Sequence, residues 1–287
     1  MIKVILFDKK EKILSVKNSE SNEFIISSEV WWKHGLFLAY TNQKEVNIIE
    51  KLEKEKPTLN EIADIFYGIK AYQVGKGNPP QTKKTLAEKP FTSKEKCVGC
   101  LPFFSGRDVD RYKLLWNDDN WIRYGEWLAE PRNPKKFEGE KLLVRKIVGN
   151  NMIATYIPHT SYCNTLLYVI KLNEDISIGY RYLLGIINSS LMGWYFRKKF
   201  QISAKDTFPQ ILRGNLIKFP ILISKAVLHH RLNLLVKNML ELHNRDTQTP
   251  YEHEQLEHEI ATTDTQINRL VYDLYGLTDE EIRIVEG

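Results

Sequence analysis

Apolar and polar positions along the chain change rhythm several times, and each change predicts an element. Residues 1–30 carry short apolar runs, IKVILF, EKILSV and EFIIS, with a turn at Lys17–Asn22 before the last, which predicts strands. Over 43–56, Val46, Ile49 and Leu52 recur at helical spacing, and Pro57 stops that helix. Thr58 followed by Glu61 is a capping-box pair, predicting a second short helix that ends near Tyr67-Gly68. Residues 68–96 are rich in Gly, Lys and Pro and read as one long loop. Strands are expected at LPFF, RYKLLW, KLLVRKI, MIATYI and TLLYVIKL between 97 and 175. A helix is expected from Tyr180 to Phe200, with Asn188-Ser-Ser in its middle.

The rhythm changes once more near residue 221. Leu228, Leu232, Leu235, Met239 and Leu242 are spaced 4-3-4-3, and Leu256, Ile260, Thr263, Ile267, Leu270 and Leu274 continue the pattern. The polar turn HNRDTQTPY between them makes an antiparallel helical hairpin. Tyr275-Gly276 is a helix stop, and Thr278 starts a last short helix. The expected fold class is α+β: a β-rich domain over 1–220 and a C-terminal antiparallel α-helical hairpin over 221–287.

Charge sharpens that division. The chain has 287 residues and a formal net charge of +5, with ordinary globular composition. Six basic and twelve acidic residues lie beyond 220, so the tail carries −6 and the remainder +11. A basic body with an acidic tail puts the body, not the tail, against a polyanion. The N-terminal apolar run Val4–Phe7 is too short for a signal peptide or membrane span. Three cysteines, an odd number, fit a reducing, cytoplasmic setting with no membrane.

Catalytic signatures are sparse. Asn78-Pro79-Pro80-Gln81 is similar to the Asn-Pro-Pro-aromatic motif of amino-group DNA methyltransferases, but Gln81 stands where a ring would stack on a flipped base, so a loop is the better reading. His253 and His258 lie five apart and diverge on a helix, so the stretch HEQLEH is no zinc-protease motif. Cys97-Val-Gly-Cys100 has the spacing of half a zinc site, with Cys163 and His159 as conceivable completing ligands against a plain turn. No Walker loop, Rossmann fingerprint or Gly-x-Ser-x-Gly elbow occurs. The richest stretch is 101–146, where Arg107, Arg111, Arg123, Arg132, Arg145 and several lysines interleave with Trp116, Trp121, Tyr124 and Trp127. Arginines and lysines among aromatic rings suit a surface that reads grooves and tracks phosphates, although Trp116 and Trp121 are better read as core.

The order of segments 68–83, 101–116, 124–147, 182–200 and 208–221, closed by INRLVYDLYGLTDEEIRIVE at 267–286, resembles the TaqI-like C-terminal specificity (target-recognition) domain. That domain follows the methyltransferase region in type IIG restriction enzymes and adenine-specific DNA methyltransferases, and the resemblance covers roughly residues 30–287. It implies sequence-specific recognition of double-stranded DNA by a module without its own catalytic centre, beside an upstream methyltransferase domain or subunit. In the parent enzyme that partner methylates adenine at N6 from S-adenosylmethionine, with Mg2+ where a nuclease is attached. The resemblance implies that both cofactors belong to domains expected upstream, and none to this chain. The DNA-contact candidates in and beside the matching segments are Lys76, Lys83, Lys84, Arg107, Arg111, Arg123, Arg145, Lys146 and Lys205. The competing reading is a protein-interaction module that uses the helical hairpin and makes no direct DNA readout.

Overall fold

The structure is a computed structural model that describes residues 2–7, 21–26, 42–200, 209–223 and 227–287. Its first two strands, β1 (Ile2–Phe7) and β2 (Ser21–Ile26), pair antiparallel with Ile2 opposite Ile26. The expected strand EKILSV lies outside the described residues. Helix α1 (Gln43–Glu53) opens on a reciprocal cap: Asn42 Oδ1 accepts from the Glu45 amide at 3.0 Å, and Glu45 accepts from the Asn42 amide at 2.8 Å. Val46, Ile49 and Leu52 are buried, as their spacing predicts.

The Thr58–Glu61 box forms, with the Thr58 amide donating to Glu61 at 2.7 Å. Its helix, α2 (Leu59–Ile62), makes only one turn and passes into strand β3 (Ala63–Tyr67), not into the longer helix expected. The reason is tertiary. Ile65, Phe66 and Tyr67 pair with Ile170, Val169 and Tyr168 and alternate between two apolar environments, which a helix cannot do.

The expected long loop contains a short helix, α3 (Lys83–Glu88), and strand β4 (Thr92–Ser93). Then come β5 (Cys100–Phe104), β6 (Val109–Asp110), β7 (Lys113–Leu114), β8 (Trp121–Arg123), β9 (Lys141–Arg145), β10 (Ala154–Ile157), β11 (Tyr162–Cys163) and β12 (Leu167–Leu172). β6 and β7 pair with each other, and the rest of β3–β12 build two four-stranded sheets, ordered β10-β9-β12-β3 and β11-β5-β8-β4; in the second only β11 with β5 is parallel. The RYKLLW segment supplies only the two-residue β7, because Tyr112 takes a left-handed turn (φ 59°) and buries its ring.

The first sheet is covered on both faces, and its side chains alternate between two cores. Leu142, Val144, Tyr168, Ile170 and Ile65 point into one, packed with the helices. Leu143, Leu167, Val169 and Ile157 point into the other, shared with the second sheet. Burial on both faces explains why Leu142–Val144 and Leu167–Ile170 are continuous apolar runs, not alternating ones.

The helix expected over 180–200 is two: α4 (Tyr180–Asn188) and α5 (Ser190–Lys199). The break lies at the Asn188-Ser pair noted above. Asn188 is buried, and its amide accepts from the Ala154 N–H and donates to the Ala154 carbonyl, both at 2.9 Å, as a further strand would. Ser189 Oγ then accepts from the Met192 amide and starts α5.

The hairpin is α6 (Val227–His243) and α7 (Pro250–Tyr275), followed by α8 (Asp279–Glu286). Gly276 closes α7 in the left-handed conformation (φ 67°), where a Cβ would be strained. Leu232, Val236, Met239, Ile267, Leu270 and Val285 join the same core as Ile48, Leu142 and Tyr182. The core is therefore continuous across residue 221, where the change of rhythm places a boundary. An apolar stripe of this width needs a cover, and α4 and α5 provide it. Among the described residues no helix is long and apolar enough to cross a membrane.

Two interactions tie the β units to this frame. Arg111 donates to both Asp264 oxygens (2.7 and 3.3 Å) and to the Asn188 carbonyl (2.9 Å), joining the β6–β7 turn to α7. Lys141 is fully buried on β9, and its ammonium donates to the carbonyls of Phe137, Gly139 and His159 at 2.7–3.1 Å. Burial outweighs these bonds and lowers the lysine to about 8.

Arg111→Met is expected to lower unfolding stability by about 2 kcal/mol, since it strands a half-buried carboxylate. Adding Asp264→Leu should recover part of that loss, read from urea midpoints of the single and double variants. Lys141 holds its proton less tightly folded than unfolded. Its folded pKa is near 8 against 10.5 unfolded, so stability is expected to rise with pH across that interval, by at most about 1.4 kcal/mol per pH unit. The wild-type chain should show this rise between about pH 8 and 10 and Lys141→Met should not; equal profiles would contradict it.

Candidate nucleic-acid interface

Residues 68–96 hold seven lysines and two glutamates. A segment so charged needs a firm anchor if its charges are to be presented in a fixed pattern. Gln81 supplies it. Its side chain is buried; Oε1 accepts from the Gln73 amide at 2.8 Å, and Nε2 donates to the carbonyls of Ala71 and Trp127, each at 2.8 Å. Around it, the Gly75 amide donates to the Gln81 carbonyl (2.9 Å), and the Asn78 amide donates to the Glu126 carbonyl (2.9 Å). Gly77 takes a positive φ of 86°, and a Cβ there would lie 2.4 Å from the Trp127 carbonyl oxygen, so only glycine lets the loop close on this strand end.

This geometry answers the methyltransferase-like motif. Gln81 turns its amide inward to the backbone and offers no ring to a base, so 78–81 is a loop, as its missing aromatic residue indicates. The next residue, Thr82, caps α3 by accepting from the Thr85 amide. Farther on, Tyr72 stacks on Phe91 at 5.5 Å, and the Phe91 amide donates to the Tyr72 hydroxyl. The lysine-rich segment is thus held at several points along its length.

Four of the DNA-contact candidates gather at this junction. Lys76 sits in the turn that lies on Glu126–Trp127, and Lys83 and Lys84 open α3 two residues past the Gln81 lock. Arg123 lies on β8 with its guanidinium 5.3 Å from the centre of the Trp127 ring. All four are exposed. Lys84 has a loose pairing with Glu88 at 3.8 Å; Lys76, Lys83 and Arg123 have no ion-pair partner among the described residues.

The other candidates separate. Arg107 is exposed but paired with Asp119 (2.9 Å) and Asp108 (3.3 Å). Arg111 is held by Asp264 and the Asn188 carbonyl, so its guanidinium is engaged within the chain and not presented freely as the other candidates are. Arg145 and Lys146 end β9, where the Lys146 ammonium lies 4.7 Å from the Tyr67 ring and 5.7 Å from that of Tyr168. They are half-buried and stand apart from the Trp127 junction. Lys205 lies outside the described residues. Trp121 is buried, and Trp116 packs edge-on against Phe104 and Trp121, as expected of core rings.

The conceivable zinc site does not assemble. Cys97 and Cys100 are joined to each other in a disulfide across the turn at Gly99. Cys163 is buried on β11, opposite Phe104 at the far end of β5 from Cys100, and burial pushes its thiol up to about 12. Among the described residues no group of three or more His, Cys, Asp or Glu converges on one point.

The arrangement is a basic, aromatic-braced edge on a β-rich unit, set on a helical frame. Residues 101–221 match the family model of the TaqI-like C-terminal specificity domain. A putative type II restriction enzyme and methyltransferase of Methanocaldococcus jannaschii is 31% identical over 138 residues, 47% of this chain and 12% of that protein's length. Among solved structures, the type IIL restriction-modification enzyme MmeI in complex with DNA is similar at 10% identity and a TM-score of 0.48, over 82% of this chain and 36% of that one. The type IIG restriction endonuclease BpuSI is similar at 10% identity and a TM-score of 0.42, over 92% of this chain and 37% of that one.

Gln81→Ala is expected to cost about 3 kcal/mol, because it leaves two carbonyls and an amide without partners. The Gln73 amide should then lose its hydrogen-exchange protection while the β9–β12 amides keep theirs. Undiminished protection at Gln73 would show that Gln81 is not the lock.

Proposed function

We propose that this chain reads a specific sequence in double-stranded DNA for a restriction-modification enzyme and assigns the modification chemistry to a methyltransferase domain or subunit beside it. The observation that carries the reading is the locked lysine-rich segment. Gln81 and Gly77 pin it to Trp127, so that Lys76, Lys83, Lys84 and Arg123 face outward from one junction. Charges presented in a fixed pattern neutralise phosphates at fixed spacing, and that positions a protein in register on a duplex.

In this reading the partner transfers a methyl group from S-adenosylmethionine to adenine N6, and a nuclease, where attached, uses Mg2+. The 78–81 loop does not fit a flipped base, so no reaction step is assigned to it. The enzyme of which this module forms part would act on DNA in the cytoplasm. The hairpin's main apolar face packs inside the chain, against α4 and α5, which weakens its reading as a protein-docking module.

Duplex binding by the purified chain is expected to fall about 10³-fold between about 50 and 200 mM salt, as for roughly six phosphate contacts. The combined Lys76→Ala, Lys83→Ala and Lys84→Ala variant should flatten that slope by about two to three. Salt-independent binding, or none at either salt, would overturn the proposal.

A further inference from the structure

A second feature of the same β-rich unit lies apart from the Trp127 junction. Between residues 69–72 and the end of the second sheet is an open cleft of about 270 Å³, bordered by Lys70, Tyr72, Lys89, Asn120, Asn164 and Thr165. Its lining contains no carboxylate. In contrast, the cleft beneath Tyr156 and Tyr180 includes Glu140, and the one beside Tyr251 includes Glu254 and Glu259. Neither the Lys70 nor the Lys89 ammonium has a partner among the described residues. Together they make this cleft suited to an anionic occupant.

The two asparagines are held with defined polarity. Asn164 Oδ1 accepts from the Leu166 amide at 2.9 Å, which leaves Nδ2 as a donor. Asn120 Nδ2 donates to the Phe103 carbonyl at 2.6 Å, which leaves Oδ1 as an acceptor. Neither amide can swap its ends without breaking a backbone bond. The Asn164 backbone is fixed as well: its amide donates to the Phe104 carbonyl, and its carbonyl accepts from the Leu167 amide. A Cβ on Gly68 would lie 2.2 Å from that carbonyl oxygen, so the segment on the other side of the cleft approaches closely only because residue 68 is glycine. One oriented donor, one oriented acceptor and the Thr165 hydroxyl, flanked by two lysines, complement the donor–acceptor pattern on the edge of a base pair with a phosphate on either side.

We infer that this cleft is where the chain discriminates between bases, with Asn164 and Asn120 reading base edges and Lys70 and Lys89 holding the flanking phosphates. The inference rests on the DNA-reading function proposed above and names the residues that give it sequence preference. The experiment is a selection from a duplex pool with a randomised core, followed by affinities for the selected and a scrambled duplex. It compares the wild-type chain, Asn164→Ser and Lys70→Ala. Serine keeps an oxygen that can accept from the Leu166 amide and loses the amide N–H that extends beyond it into the cleft. Thermal melting confirms that each variant is folded, and Thr165→Ala serves as a second cleft variant that touches no described backbone bond.

Asn164→Ser is expected to reduce discrimination at one or two positions of the selected site by about tenfold or more, with affinity for the scrambled duplex nearly unchanged. Lys70→Ala is expected to weaken both duplexes alike and to reduce the salt slope by about one. If the wild-type chain selects a site and both Asn164→Ser and Thr165→Ala select the same site with equal discrimination, the cleft assignment fails while the DNA-reading function stands. If the wild-type chain selects no site, both fail.

Discussion

The sheet β10-β9-β12-β3 bears a constraint that the other elements inherit. Both of its faces are buried, so each residue along a strand must belong to one of two different cores. Leu142 and Val144 pack with the helices, and Leu143 between them packs with the second sheet. A slip of one residue in register would exchange the two sets, sending leucines shaped for one core into the other. The pairing of Ile65 with Ile170 and of Leu143 with Val169 is thus what fixes where the basic unit stands on the helical frame. Buried Lys141 heads the same central strand and draws the carbonyls of residues 137, 139 and 159 around it.

From this wall the basic unit is built outward with polar locks as well as apolar packing. Gln81, Asn120 and Asn188 each use a side-chain amide to bond backbone groups of another segment, and Asn164 uses its own within its turn. Amides suit this use because each has a donor end and an acceptor end, and a backbone partner decides which way it faces. In a unit with short strands and long connections, such bonds replace ladder hydrogen bonds that the strands are too short to make. They also leave the lysines outside, where their charge is not quenched. The acidic surplus lies instead on the hairpin, where Asp264 is turned inward to hold Arg111.

Much of the frame was legible in the chain. The caps at Thr58, Thr278 and Gly276, the hairpin stripe and the apolar strands β9, β10 and β12 follow from local patterns that tertiary contacts reinforce. Three readings were not decided locally. Residues 63–67 became a strand because β12 offered an edge. The helix over 180–200 broke because Asn188 found the backbone of Ala154. Arg111 reads in sequence like any exposed arginine in a basic stretch, and nothing near it in the chain signals that its partner lies 153 residues away.

The candidate site divides along the same line. The surplus of lysine in 68–96 and the interleaving of arginine with aromatic rings are properties of composition, and composition needs no folding to be read. Which of those charges remain outward is a matter of pairing. Arg107 and Arg111 found carboxylates; among the described residues Lys76, Lys83 and Arg123 did not. The sequence by itself determined that a basic α+β body precedes an acidic helical hairpin, because charge and periodicity are local quantities. Only the tertiary structure decided that the hairpin shares one core with the body, that Gln81 is a lock where a methyltransferase would place a ring, and that a carboxylate-free cleft opens beside Asn164. Each of these depends on contacts between residues far apart in the chain, and such contacts exist only once the two-faced sheet has set their register.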